Sequence, residues 1–123
     1  MYKLLVRQLN ELSRLSSGLK AYLCACGEYS PDTMYDVKLT VFELAGNVLT
    51  HSKSPAEVLI ELDRDAVYVN IVGGKAFELK KTSRPDPECE CGRGVFLVRQ
   101  IAKSLSFCQN GRNVLAVIAR KKY

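Results

Sequence analysis

Two observations place this chain in the α+β class, as a two-layer sandwich: a mixed, mostly antiparallel sheet with three helices on one face. The first is the stretch from Ser30 to about Thr50. Its residues Met34, Val37, Val41, Leu44 and Val48 alternate three- and four-residue steps, the period of one buried helix face. The second is two pairs of β-branched and aliphatic runs, each pair separated by a few polar residues, as in hairpins of a sheet covered on one side. With 123 residues the chain is one domain, 1–123, large enough for a single core.

The elements follow in order. Residues 2–7 read as a short strand. Between Leu9 and Cys26, Leu9, Leu12, Leu15, Leu19 and Leu23 recur at helical steps, and Gly27 ends that amphipathic helix. Ser30-Pro31-Asp32 starts the second helix, with Ser as N-cap, Pro at the first helical position and an acid in the first turn. Its end is expected near Thr50–Ser52. Glu57–Leu62 and Ala66–Val72 form a hairpin around Asp63-Arg64-Asp65, and Gly73-Gly74 stops the second strand. Lys75 to Cys91 is polar, carries Pro85 and Pro87, and has no sustained period; a connection that long in a compact domain is usually functional or mobile. Gly92-Arg93-Gly94 leads into a third amphipathic helix through Val95, Phe96, Val98, Ile101, Ala102 and Leu105. Ser106–Gln109, the turn Asn110-Gly111 and Asn113–Ala119 make a second hairpin.

Composition excludes several classes. No apolar run approaches the roughly 20 residues of a membrane span, and the N-terminus is unlike a signal peptide, so the cytoplasm is expected. The net charge of +5 is scattered, clustering only at Lys80-Lys81 and Arg120-Lys121-Lys122, so no direct nucleic-acid contact is expected. The five cysteines include two C-x-C pairs, Cys24/Cys26 and Cys89/Cys91, a spacing unlike structural zinc sites. An odd count also argues against a disulfide framework, which favours reduced thiols, with a metal or redox role as the alternative.

Chemistry concentrates on the second helix. Glu43, Asn47 and His51 fall at four-residue steps, each turned about 40° from the last, on one face of an α-helix. An acid, an amide and an imidazole on one face need solvent, partners or a ligand. The glycines at the entrance of the third helix suit close approach of an anion to backbone N–H groups, although a lone G-x-G is more often a turn.

The order of these features resembles the GHKL (Bergerat-fold) ATP-binding domain shared by histidine kinases, gyrase and a class of heat-shock chaperones. More narrowly, it looks like the small anti-sigma-factor serine kinases of bacteria. Glu43-Leu-Ala-Gly-Asn47-Val-Leu-Thr-His51 is similar to the family's N box, and Gly92-Arg-Gly94-Val-Phe-Leu-Val98 to its second glycine box. The resemblance spans nearly the whole chain. Histidine kinase catalytic domains usually follow a dimerising helical hairpin with a phosphoacceptor His, for which this chain leaves no room; the anti-sigma branch consists of free-standing domains of about this length.

The resemblance implies ATP and Mg as cofactors, with Asn47 holding the Mg²⁺ ion through its amide oxygen. Glu43 would be general base toward a serine hydroxyl or water. Gly74, Gly92 and Gly94 would border the nucleotide, Arg93 would add a cation, and Lys75–Cys91 would be a lid. His51 matches the third N-box position, or is simply a helix-end histidine near the dipole's negative pole. The implied partners are a sigma factor and an anti-sigma-factor antagonist, with a homodimer through the first strand and helix.

The first glycine box departs from the family pattern Asp-x-Gly-x-x-Phe. Aligning on Phe77 puts Gly74 on the glycine but Val72 on the aspartate that accepts from adenine. Asp63, Asp65 and Glu78 lie elsewhere along the chain, and Asn70 shares a strand face with Val72. A non-catalytic, protein-binding relative with weak or no ATP binding is the alternative this substitution favours. An isolated nucleic-acid-binding domain rests on net charge alone.

Overall fold

A computed structural model describes residues 1–28, 30–52, 55–73, 97–108 and 113–120, with the side chains of residues 51, 52, 107 and 108 left aside. Gly74, the stretch through Gly92-Arg93-Gly94, and the Asn110-Gly111 turn lie outside these residues.

Strand β1, Tyr2–Val6, leads through a 3₁₀ turn, Leu9–Glu11, into helix α1, Leu12–Ala25. The expected start near Leu9 is therefore the 3₁₀ turn. There the Glu11 carboxylate accepts from the backbone N–H groups of Arg7 and Gln8, both at 3.0 Å. The α1 C-terminus closes as the sequence predicts: Gly27 takes φ +88°, Gly27 N–H donates to Cys24 O and Glu28 N–H to Leu23 O. This paired pattern satisfies carbonyls that the helix end would otherwise leave open. Helix α2, Pro31–Asn47, starts at the Ser30 N-cap, whose hydroxyl accepts from Thr33 N–H at 3.4 Å.

The strands β2 (Ala56–Leu62), β3 (Ala66–Gly73), β4 (Ser104–Cys108) and β5 (Asn113–Ala119) complete one sheet. Its order is β1-β2-β3-β5-β4, and every pairing is antiparallel. Burial alternates along β3 and β5, so Val67, Val69, Ile71, Val114, Ala116 and Ile118 face one way. They form one core with Leu15, Leu19 and Leu23 of α1, Val37, Val41 and Leu44 of α2, and Val98. Each fully buried Val or Leu contributes about 1.5–3 kcal/mol of transfer free energy. The helices thus lie on one face, as the α+β sandwich requires. The opposite face carries Lys3, Leu5, Glu57, Leu59, Tyr68, Asn70 and Val72, all partly or fully exposed.

One element boundary differs from expectation. The third helix is described over residues 97–101 and ends there, whereas its pattern seemed to run on to Leu105. Leu105 instead belongs to β4, opposite Ala116 of β5. The 98, 101, 102, 105 spacing happens to satisfy a helix, but Ser104-Leu105-Ser106 also alternates, and Lys103 N–H already donates to Val117 O at 2.7 Å. A sheet edge with carbonyls to fill outcompetes one more helical turn.

Candidate functional site

Helix α2 packs on β2, β3 and β5 through Val37, Val41 and Leu44, with Val48 just past its end, all at 1% exposure or less. That buried stripe fixes the rotation of the whole helix. Glu43 and Asn47 therefore stand on one flank of it, both half-buried, one turn apart. Continuing toward the N-terminus, the same flank carries Thr40 and Asp36, which sequence reasoning passed over. Asp36 is 5% exposed and Thr40 fully buried, the Thr40 hydroxyl donating to the Asp36 carbonyl at 2.7 Å. The spacing 36, 40, 43, 47 repeats the apolar three-and-four step on a neighbouring stripe, a signal available in the sequence. The flank is polar along its length. A Cβ added at Gly46, between the two candidate residues, would meet no atom of the described residues within 4 Å beyond the helix's own backbone.

Beyond Asn47 the winding changes. Val48–Ser52 is a π-helical segment, a geometry that often marks functional sites. His51 lies in it, so the bearing expected from α-helical spacing does not carry over to His51; its side chain lies outside the described residues. Val48 remains buried at 1% exposure, so the segment still seats on the core.

Strand β3 alters the reading of the first glycine box. Residues Val67, Val69, Ile71 and Gly73 are buried on the helix-covered face, and Tyr68, Asn70 and Val72 project to the other. A nucleotide that reaches Asn47 lies on the α2 side of the sheet. The Val72 side chain points away from it, and so does Asn70, whose Oδ1 is buried without a hydrogen-bond partner. The β3 position on the α2 side at this end of the strand is Gly73, opposite Ala56. Neither Val72 nor Gly73 carries a side-chain acceptor for a purine amino group. The metal end fits better: the half-exposed Asn47 amide carries a hard oxygen donor suited to Mg²⁺, with the Glu43 carboxylate one turn away. Gly74, Gly92, Arg93 and Gly94, expected around the phosphates, lie outside the described residues.

The described thiols Cys24 and Cys26 are free, and no cluster of metal-binding side chains occurs among the described residues. No helix among them is long and apolar enough to cross a membrane. Comparison with curated proteins gives no match. A sequence model of the family described as histidine kinase-like ATPase domain matches residues 5–119, from inside β1 to the end of β5. With the five-stranded sheet, the helices on one face and the Glu43–Asn47 flank in place, the chain belongs to the histidine kinase-like ATPase domain family.

Proposed function

We propose that the chain is a cytoplasmic regulatory module of the anti-sigma-factor kinase kind, phosphorylating a serine of an antagonist protein and sequestering a sigma factor. The observation that carries this reading is the Glu43–Asn47 pair, held one turn apart on the half-buried flank of α2 by the helix's buried stripe. Mg-ATP, when bound, would supply the transferable γ-phosphoryl group, with ADP as the leaving group. Asn47 would offer its amide oxygen to the metal, and Glu43 would accept the proton of the attacking serine hydroxyl. Pairing of two copies through β1 and α1 belongs to the same proposal: β1 is a sheet edge, and Leu5 and Leu9 beside it are 43% and 58% exposed.

The second reading is a protein-binding relative with weak or no ATP affinity, favoured by the missing side-chain acceptor at Val72 and Gly73. An unpaired purine amino group costs about 1–3 kcal/mol. Titration calorimetry with Mg-ATP on the unmodified chain, Gly73→Asp and Val72→Asp separates the two. A carboxylate at 73 faces the α2 side and is expected to tighten binding about tenfold or more. One at 72 faces away and leaves affinity unchanged. Micromolar binding by the unmodified chain, with phosphate transfer lost in Glu43→Gln, supports the kinase. Absence of binding by both the unmodified chain and a folded Gly73→Asp sinks it.

A further inference from the structure

The flank of α2 turned away from Glu43 and Asn47 packs against α1, and the seam between the two helices opens to the surface as a groove of about 240 Å³. Its floor is made by Leu19 and Leu23 of α1, at 2% and 1% exposure, with the partly buried Met34 of α2. Its rim carries Tyr35, 65% exposed, and two lysines, Lys20 from α1 and Lys38 from α2. The volume exceeds the ~150 Å³ of a cavity that holds benzene, enough for a bulky apolar side chain.

Charge is one-sided here. No acidic residue lines the groove, and neither Lys20 nor Lys38 has an ion-pair partner among the described residues. The Lys38 ammonium lies 5.6 Å from the centre of the Phe42 ring, which holds its stem along α2 and its charge at the rim. The acids nearest in sequence, Asp32 next to Pro31 and Asp36 next to Tyr35, do not line the groove; Asp36 is buried on the Glu43–Asn47 flank of α2. Two helix ridges with an apolar trough, an exposed tyrosine and a cation on each bank are the complement of a helix with an apolar anchor stripe between acidic flanks.

We infer that the α1–α2 groove docks an acidic, amphipathic helical segment of a partner protein, inserting an apolar side chain over Leu19, Leu23 and Met34 while carboxylates meet Lys20 and Lys38. The groove lies on the other flank of α2 from the Glu43–Asn47 pair, so nucleotide affinity and docking are read out separately. The test uses a synthetic helical peptide with leucines at i, i+3, i+4 and i+7 and glutamates beside them, titrated into the isotopically labelled chain. Amide resonances of α1 and α2 around the groove are expected to shift. Lys20→Glu/Lys38→Glu, both surface changes, should weaken binding about tenfold. The same variant should regain binding to a peptide with lysines in place of the glutamates.

Four results would overturn the inference. One is shifts confined to other surfaces, or no binding at all. Another is equal binding of the acidic and basic peptides by the unmodified chain. The third is sedimentation showing a dimer of this chain that Tyr35→Ala dissociates, which would make a second copy the occupant. Binding to anionic lipid vesicles in preference to the peptide would likewise transfer the lysines to a membrane role and sink the protein-partner reading.

Discussion

Arg120 ties together three segments far apart in sequence. Its Nε–H donates to Glu28 Oε2 at 2.7 Å, one terminal nitrogen to the Asp63 carbonyl at 2.8 Å, and the other to Gly27 O at 3.2 Å. Its own backbone N–H donates to Asp65 O at 2.9 Å. The Glu28 carboxylate, 4% exposed, also accepts from Ser30 N–H at 2.8 Å, so one acid orients both the α1–α2 corner and the end of β5. Arg120→Ala leaves that carboxylate buried with a single donor among the described residues, the Ser30 N–H. The expected cost is about 3 kcal/mol in urea denaturation, at the low end for a broken buried pair because Arg120 keeps 23% exposure. A loss under about half a kcal/mol, the value of an exposed pair, would refute this account.

Asp63 titrates in the same corner. The Tyr68 hydroxyl and the backbone N–H groups of Asp65 and Ala66 donate to its carboxylate and hold it below the usual carboxylate range. A lowered folded value means that stabilisation is complete above the unfolded pKa and disappears as pH falls through the folded one. Between about pH 5 and about pH 3, the unmodified chain should lose more stability than Asp63→Asn. Parallel urea-midpoint curves for the two would contradict that. The Arg120 contacts were not legible in the sequence, because Glu28, Asp63 and Arg120 meet only after the sheet and the helix corner are built.

At the scale of elements, the sequence was most readable where two signals coincided. Ser30-Pro31-Asp32 and the Val37–Val41–Leu44–Val48 stripe define α2, and Gly27 defines the α1 end. It was least readable where one pattern served two structures, as at Leu105, or where winding changed without a compositional mark, as in Val48–Ser52. Two glycines test the distinction between required and tolerated. Gly27 takes φ +88°, so Gly27→Ala is expected to destabilise by about 1 kcal/mol. Gly46 lies inside α2 with open space around its Cα, so Gly46→Ala should stabilise by about 0.5–1 kcal/mol in thermal unfolding. Opposite signs are the expectation. Stabilisation at both sites would mean that the Gly27 turn is not the one described.

For the whole molecule, composition and periodicity gave the α+β class and the hairpins, but not the β1-β2-β3-β5-β4 order, which depends on pairings between segments far apart in sequence. Motif spacing likewise aligned Val72 with a family aspartate, yet strand phase decides which face a side chain serves. The fold sends Val72 to the face opposite α2 and brings Gly73 to the near one. That sidedness governs energetics as well, since one core lies between the helices and one face of the sheet. Leu44 on α2 is fully buried against the sheet, while Leu5, on the other face of β1, is 43% exposed. Leu44→Ala therefore removes packing from the shared core and is expected to cost about 3 kcal/mol, measured by urea unfolding with an unchanged m-value. Leu5→Ala removes partly solvated surface and should cost under about 1 kcal/mol. If the two variants lost equal stability, the far face of the sheet would be carrying a second core, and the two-layer description would fail with it.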